Sequence, residues 1–378
     1  MKKVIFGGLA IVLLLAVMSI GALWVRTEPE PFAAGTQSAA RLSQGPYSVG
    51  RINYDWIDTD RDQRSLPTTM WYPEGVAGLH PLAVFSHGLM SSRLGCTHMA
   101  EHLASYGYVV ISADHPLTNA DAPEGPDHFD VVNQPADLTF IIDKTLQLGE
   151  SAPFEGSIDA QRIGAFGISL GADTVTLAGF HPERRDPRIT LVASIVGHGD
   201  VFGPSFFDNA PIPFLMIAGT ADAIVDYQVN AVPIPKRLSD GGLLTIEGAT
   251  HAGFTYLTSG AVRLLGNPDN LGCGGVSEGD IPQDKNPFVG LFGAADQGLL
   301  VPSDYRAPCA KNYEHVMKAG RQQNIATLAI RAFFESRFAT AVEDRGAHRF
   351  FLETTMAQEL TEVTYQPASA SSQRGVED

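Results

Sequence analysis

The sequence predicts an α/β domain with a mostly parallel central sheet, helices on both faces and an apolar segment in front of it. Short apolar runs bounded by Gly, Pro or Asp alternate with stretches whose apolar residues follow helical spacing. Continuous apolar strands of this kind are typical of parallel sheets that are covered on both faces. The chain has 378 residues, 44% of them hydrophobic, which is enough to bury a large core.

The N-terminal segment has the order of charge and apolarity that is typical of an export signal. Lys2 and Lys3 precede an uncharged run over residues 4–25, and Arg26 follows it. The run is long enough to span a bilayer as a helix. We therefore expect residues 1–26 to be a signal peptide or a retained signal anchor. The domain would then lie in the periplasm or outside the cell and touch the membrane only through this segment.

The rest of the chain divides by composition. Residues 27–45 are small and polar and contain Pro, which predicts a flexible tether. The folded domain is expected over residues 46–365. Within it, residues 252–312 have little periodic pattern and are interpreted as an irregular insertion that follows the last predicted parallel strand. Residues 366–378 predict a disordered tail.

Secondary structure can be assigned in chain order. Residues 48–57 and 67–72 alternate in polarity and predict an antiparallel strand pair. The apolar runs that predict further strands are residues 81–88, 108–116, 162–169, 189–198, 213–222 and 243–251. The helical patterns are residues 97–106, 135–148, 172–179, 227–239 and 313–338. In such a sheet, ligands bind at the carboxyl ends of the strands.

Charge and cysteine content exclude some classes of function. With 42 acidic and 26 basic side chains the formal net charge is −16, so nucleic acid is not expected as a partner. The three cysteines show no spacing typical of a zinc site. Cys273 and Cys309 flank a stretch rich in Gly, Pro and Asp, and in an oxidising compartment we expect them to form a disulfide. Two free thiols are the alternative.

Residues 167–171 read Gly-Ile-Ser-Leu-Gly, directly after an apolar strand and before a helical pattern. A nucleophile on a sharp strand-to-helix turn needs small neighbours because the backbone folds tightly around it. Gly167 and Gly171 meet that need. The pattern predicts that Ser169 is a nucleophile presented at the carboxyl edge of the sheet.

A serine hydroxyl needs a base, and the base needs a carboxylate that orients it. Asp222 ends one predicted strand and His251 ends the next, so both are expected at the same edge of the sheet as the serine. The chain order of serine, acid and histidine is the one that this architecture uses. Asp226 and Asp200 are alternatives for the acid, and His198 is the alternative for the base.

An acyl-transfer site also needs two backbone N–H groups aimed at the developing oxyanion. We expect the N–H of Leu170, after the nucleophile, and the N–H of Leu89, in the loop after an early strand where Gly88 permits close approach. His87 either orients that loop by hydrogen bonds or packs beneath it. The residues expected to line the substrate pocket are His87, Ile168 and His198.

The segments VFSHGLMSSR, GAFGISLGAD, IAGTADAIVD and EGATHAGF resemble serine esterases related to dienelactone hydrolase and platelet-activating-factor acetylhydrolase. The likeness covers about residues 46–257 and the last helix. It implies an α/β-hydrolase fold, a triad of Ser169, Asp222 and His251, and hydrolysis of esters with a short or accessible acyl group. Dienelactone hydrolase proper has a cysteine where this chain has the serine. A weaker resemblance extends to cutinase-like polyester hydrolases.

The expected reaction is a two-step acyl transfer through an acyl-enzyme that needs no metal or other cofactor. Its substrate would be a small-molecule or lipid-like ester. One alternative is a cutinase-like polyester hydrolase or lipase that uses the same groups. The other is a binding protein that keeps the hydrolase fold without catalysis.

Overall fold

The structure is a computed structural model that describes residues 30–255, 266–275 and 286–369. The predicted export segment over residues 1–26 lies outside this part of the chain. Among the described residues, no helix combines the length and the apolarity needed to cross a bilayer.

The described residues form one central sheet of nine strands in the order β1-β2-β4-β3-β5-β6-β7-β8-β9. The strands are β1 Val49–Asp58, β2 Arg64–Pro73, β3 Leu79–Ser86, β4 Val109–Ala113, β5 Ser157–Ile168, β6 Ile189–Ile195, β7 Phe214–Gly219, β8 Gly241–Ile246 and β9 Val363–Pro367. Neighbours from β4 to β8 run parallel, whereas β1 and β2 at one edge and β9 at the other pair antiparallel. The predicted mostly parallel sheet and the antiparallel pair at its start are both confirmed.

Helices cover both faces of this sheet. They are α1 Gln37–Leu42, α2 Thr97–Ser105, α3 Gln134–Gln147, α4 Leu170–Phe180, α5 Pro204–Phe207, α6 Tyr227–Asn230, α7 Ile234–Arg237, α8 Asp269–Gly275, α9 Ala319–Phe338, α10 Val342–Phe350 and α11 Met356–Glu359. Apolar side chains of α2 and α9 pack in the core on one face, and those of α3 and α4 pack on the other.

Strand β3 illustrates why the apolar runs form strands buried on both faces. Ala83 and Phe85 point into the core shared with α2 and α9, while Leu82 and Val84 point into the core shared with α3 and α4. Successive side chains of a strand point to opposite faces, so a strand that is buried on both sides needs an unbroken apolar run.

The predicted helix over residues 227–239 is wrong in its length. The segment forms two short helices, α6 and α7, instead of one. Pro233 and Pro235 lie in this segment, and proline inside a helix removes a backbone donor and clashes with the preceding turn. The helical spacing was therefore correct, but the two prolines limit each helix to a single turn.

The expectation of a flexible tether over residues 27–45 is wrong for the part that forms α1. This helix packs against the end of the domain, where the Glu359 carboxylate accepts hydrogen bonds from the backbone N–H groups of Gln37 (2.9 Å) and Ser38 (2.7 Å). The guanidinium of Arg41 lies 4.4 Å from the centre of the Phe351 ring. These contacts satisfy the first N–H groups of α1, which a helix cannot satisfy by itself.

Two other expectations concern the C-terminal tail and the insertion. The predicted tail over residues 366–378 begins inside β9, and the backbone N–H of Ser369 donates to the Pro235 carbonyl (2.8 Å). Residues 370–378 lie outside the described part. The described parts of the insertion, residues 252–255, 266–275 and 286–312, include α8, and the predicted disulfide between Cys273 and Cys309 is present.

Candidate active site

Ser169 sits on the turn between β5 and α4. Its backbone has φ 57° and ψ −125°, a conformation that costs a non-glycine residue about 1 to 3 kcal/mol and is held only where the surroundings enforce it. Its N–H donates to the Ile195 carbonyl of the neighbouring strand over 2.9 Å. The side chain is half-buried, so its hydroxyl remains accessible at the carboxyl edge of the sheet.

The two glycines that flank this serine are explained by close backbone contacts. A Cβ at Gly167 would lie 2.1 Å from the carbonyl oxygen of Gly171. A Cβ at Gly171 would lie 2.1 Å from the carbonyl oxygen of Ser86. Both distances are far inside van der Waals contact, so only glycine permits this sharp turn.

A continuous hydrogen-bonded chain connects the serine to an imidazole and a carboxylate. Nε2 of His251 lies 2.8 Å from Oγ of Ser169. Nδ1 of His251 lies 2.8 Å from Oδ2 of Asp222. A carboxylate only accepts, so Nδ1 carries the proton, and in the neutral ring Nε2 is left to accept from the serine hydroxyl.

The carboxylate of Asp222 is fixed by its own loop. Its second oxygen, Oδ1, accepts hydrogen bonds from the backbone N–H groups of Ile224 (2.9 Å) and Val225 (2.7 Å). The side chain is buried, with 3% of the residue exposed. The orientation of this carboxylate toward the imidazole is therefore set by backbone geometry just after β7.

Burial and charge act in opposite directions on this pair. Burial lowers the pKa of His251. The charge and hydrogen bond of Asp222 and the charge of Asp269 raise it by more, so the net pKa lies above 6.5. Burial raises the pKa of Asp222 above 3.8, and His251 opposes that rise. Shifted pKa values in a buried acid and base that contact each other are typical of sites that transfer protons.

The alternative acids have other partners. Asp226 caps the start of α6 and binds Nζ of Lys311 over 2.7 Å. Oδ2 of Asp200 accepts from the amide of Asn286 over 2.8 Å. The structure thus brings Asp222, and neither alternative, into hydrogen-bond contact with the base at Ser169.

His198, the alternative base, belongs to a second Asp–His pair beside the site. Its Nδ1 lies 2.7 Å from Oδ2 of Asp173. Its ring centre lies 4.4 Å from that of Phe288, an insertion residue that the sequence analysis did not single out. The imidazole is 18% exposed, and its expected place in the substrate pocket stays a prediction.

His87 and Ile168, which were expected to line the pocket, are both buried. His87 has no exposed surface, its Nδ1 bonds to the Gly88 carbonyl (2.8 Å), and its Nε2 accepts from the backbone N–H of His115 (3.0 Å). Burial and the neighbouring His115 lower the pKa of His87 to about 3, so the ring is neutral. His87 therefore supports the loop after β3 from below.

That loop lies directly against the nucleophile. A Cβ at Gly88 would lie 3.1 Å from both the Ile168 carbonyl and Cβ of Ser169. Leu89 follows and is 39% exposed. Leu170 is the first residue of α4, so its N–H belongs to the helix-terminal donors that have no acceptor within the helix.

A buried ionic network lies beneath the same loop, and sequence reasoning missed it. His115 bonds through Nδ1 to Asp137 (2.8 Å) and through Nε2 to the Ser86 hydroxyl (2.9 Å). Arg64 binds Asp137 (2.6 Å) and Asp130 (2.5 Å) in turn. Polar residues scattered over four separate segments gave no periodic signal, so only the tertiary fold could reveal the network.

The loop that carries His251 is held from two sides. Gln322 of α9 accepts from the backbone N–H of Thr250 (3.1 Å) and donates to its carbonyl (2.9 Å). Asp269 of the insertion accepts from the backbone N–H of His251 itself (3.1 Å). Neither residue was singled out in the sequence, where each is one of many polar side chains.

Exposed apolar side chains lie on the loop that follows Gly88 and on the segments after β4. The loops after β3 and β4 are joined by a hydrogen bond from Met90 N–H to the Thr118 carbonyl (2.9 Å). The exposed apolar residues carried by these loops and by the turn that follows are Leu89, Met90, Leu117 and Phe129. An apolar ligand surface can contact these exposed side chains.

No group of three or more His, Cys, Asp and Glu side chains within residues 30–255, 266–275 and 286–369 is arranged to hold a metal ion.

Comparison with known proteins agrees with this architecture. No curated protein sequence matches the chain. The family described as PET hydrolase-like matches residues 27–262, a segment that includes Ser169, Asp222 and His251. Because this match spans more than half of the sequence, the chain belongs to the PET hydrolase-like family, a dienelactone hydrolase-like family of α/β-hydrolases.

Proposed function

We propose that this protein is a serine carboxylic ester hydrolase in which Ser169 is the nucleophile, His251 the general base and Asp222 the orienting acid. The observation that carries the proposal is the hydrogen-bonded chain through these residues, with two contacts of 2.8 Å at the carboxyl edge of the sheet. A serine, an imidazole and a carboxylate in this order supply the nucleophile and the proton transfers of acyl transfer.

In the first step, Oγ of Ser169 bonds to the ester carbonyl carbon while His251 takes the hydroxyl proton. The N–H groups of Leu89 and Leu170 stabilise the oxyanion. The C–O bond to the alcohol then breaks, and the imidazolium returns its proton to the leaving alkoxide. In the second step, water attacks the acyl-enzyme with His251 again as base, and the acid leaves as the serine recovers its proton.

A polyester is a second candidate substrate class, and two observations favour it. The family match is to PET hydrolase-like proteins. The side chains of Leu89, Met90, Leu117 and Phe129 are apolar and exposed, and Leu89 follows Gly88, where a Cβ would lie 3.1 Å from Cβ of Ser169. Release of soluble acid from polyester film, compared with turnover of p-nitrophenyl esters of two to sixteen carbons, would rank the two substrate classes.

The decisive experiment compares the parent with Ser169→Ala on the p-nitrophenyl esters, with Ser151→Ala as the matched control because Ser151 is exposed. We expect turnover in Ser169→Ala to fall by about three orders of magnitude or more and the control to be unchanged. Equal rates in all three proteins would contradict the proposal and favour a binding protein that only keeps the fold.

The acyl-enzyme can be tested separately. A reactive alkyl phosphonate should add one covalent group to the parent, on the peptide that contains Ser169, and none to Ser169→Ala. Labelling of a different residue, or turnover of esters without any labelling, would contradict a covalent intermediate on this serine.

We further propose that the domain acts outside the cytoplasm. The apolar run over residues 4–25 and the disulfide Cys273–Cys309 support this, because disulfides persist in oxidising compartments. Fractionation of cells that express the full chain tests it: recovery of the oxidised protein in the cytoplasm would contradict the proposal.

A further inference from the structure

A buried aspartate of the insertion bonds to the loops that carry the proposed acid and base. Asp269 is 1% exposed. Its carboxylate accepts hydrogen bonds from the backbone N–H groups of Ala223 (3.0 Å), His251 (3.1 Å) and Ala252 (2.7 Å). Hydrogen bonds to an ionised acceptor are the stronger kind in proteins, which makes this a firm contact.

These three donors come from two different loops. Ala223 directly follows Asp222 after β7, whereas His251 and Ala252 lie in the loop after β8. One carboxylate therefore fixes the backbone beside the acid and the backbone of the base relative to each other. A side chain in this position controls the distance between Asp222 and His251 without touching the serine.

The disulfide joins two segments that both contact Ala223. Cys273 lies in α8, the short helix that begins at Asp269, and is bonded to Cys309. The backbone N–H of Cys309 donates to the Ala223 carbonyl over 2.6 Å, while the N–H of Ala223 donates to Asp269. The backbone N–H and C=O of Ala223 therefore both pair with segments that the disulfide joins.

We propose that Asp269 is a positioning residue for the hydrolytic site and that the Cys273–Cys309 disulfide holds it in place. The role in catalysis rests on the proposed ester hydrolysis, whereas the structural coupling to His251 does not. The segments around Asp269 and Cys309 would then hold the loop after β7, which carries the acid, against the loop after β8, which carries the base.

The expected effect on rate follows from geometry. A displacement of about 1 Å in a catalytic group can lower a rate roughly 100-fold. Replacing Asp269 with Asn keeps the size of the side chain but leaves one oxygen acceptor and an NH₂ group that would face N–H donors. The two loops would lose at least one of three hydrogen bonds and shift apart.

The charged groups that face His251 are Asp222, Asp269 and His198. The two carboxylates raise the pKa of His251, while burial and His198 lower it. Removing the charge of Asp269 is therefore expected to lower this pKa, and the acid limb of the pH–rate profile should move to lower pH. A residue that only stabilised the fold would not move it.

The first experiment compares Asp269→Asn with the parent and with Asp226→Asn. Asp226 is a matched control because it also accepts two backbone N–H groups, but it caps α6 and pairs with Lys311. We expect Asp269→Asn to lose about 100-fold in kcat with little change in KM, and the control to keep the parent rate.

Titration of His251 followed by NMR gives a readout that needs no turnover. We expect a lower midpoint in Asp269→Asn and an unchanged one in Asp226→Asn. A shifted midpoint in a protein without esterase activity would reject the proposed function and keep the coupling. An unchanged midpoint together with parent-like kcat would overturn the proposal.

The second experiment is a double-mutant cycle between Asp269→Asn and the pair Cys273→Ala with Cys309→Ala. If the disulfide holds the aspartate, removing the disulfide should lower kcat by about tenfold, and Asp269→Asn should then cost clearly less than in the parent. Fully additive losses would overturn the role assigned to the disulfide.

Discussion

The imidazole of His198 is paired with the carboxylate of Asp173, which lies in the first turn of the helix that starts at the nucleophile. Nδ1 lies 2.7 Å from Oδ2, and the backbone N–H of His198 donates to Oδ1 over 2.8 Å. Burial lowers the pKa of His198. The charges of Asp173, Asp200 and Asp222 raise it by more, so the net pKa lies above 6.5. The pair ties the loop after β6 to α4.

Replacing Asp173 with Ala should lower the free energy of unfolding at pH 6 by about 1.5 to 3 kcal/mol, because it leaves a partly buried imidazolium without its charged hydrogen-bond partner. Since the folded-state pKa of His198 is raised, the ionic part of this stabilisation is fully present below pH 6.5 and is lost as pH rises through the folded-state value. Urea unfolding of both proteins at pH 6 and pH 9 should show the larger difference at pH 6. Equal differences would mean that charge contributes nothing.

The activity of the parent should rise with pH through the pKa of His251, because the imidazole must be neutral to accept the serine proton. As that pKa is raised, the midpoint of the acid limb of kcat/KM is expected above 6.5. The measurement is kcat/KM for one soluble ester from pH 5 to 9. A flat profile, or a midpoint below 6.5, would contradict the assignment of the base.

Gly88→Ala should reduce kcat with little effect on stability. The new methyl group would lie 3.1 Å from Ser169 Cβ and from a backbone oxygen, so the loop that carries the Leu89 N–H must move by a few tenths of an ångström. Loss of one oxyanion donor lowers kcat by about two to three orders of magnitude. Gly266→Ala is the control, because a Cβ there meets nothing within 4 Å. Parent-like kcat in Gly88→Ala would argue against this loop as the donor.

Arg64→Met should destabilise the protein by about 3 to 5 kcal/mol at pH 7, because Asp137 is fully buried and loses its main cation. Burial raises the pKa of Asp137. The hydrogen bonds and charges of His115 and Arg64 lower it by more, so the net pKa is about 2. Its stabilisation is thus present above 3.8 and is lost as pH falls toward 2.

Thermal unfolding at pH 7 measures this loss. Arg61→Met is the control: Arg61 also binds Asp137, but its side chain is 28% exposed against 12% for Arg64, so solvent screens it more. An equal loss in both variants would mean that burial of the cation does not determine its contribution.

The parallel strands and the order of serine, acid and histidine could be predicted because each depends on a local pattern. The pentapeptide at Ser169 follows an apolar strand, and the strand ends place Asp222 and His251 at the same edge. Side chains that act through tertiary contacts left no such pattern. Asp269 is one polar residue in an irregular segment, and its three N–H partners lie 17 to 46 residues away.

The differences between expectation and structure also arise from tertiary contacts. Residues 27–45 were expected to be a flexible tether, but Glu359, more than 300 residues later, accepts hydrogen bonds from the first turn of α1. Ile168 lies beside the nucleophile in sequence and was expected in the pocket. Strand alternation turns its side chain into the core instead.

The docking of α1 onto the last helices has a consequence for the order of events in biosynthesis. The first helix of the described chain rests on side chains that are synthesised more than 300 residues later, among them Phe351 and Glu359. During synthesis from the N-terminus, α1 has no docking surface until nearly the whole domain has emerged. The native state can therefore be completed only after α10 and α11 have been synthesised, and the docking of α1 should be among the last steps of folding.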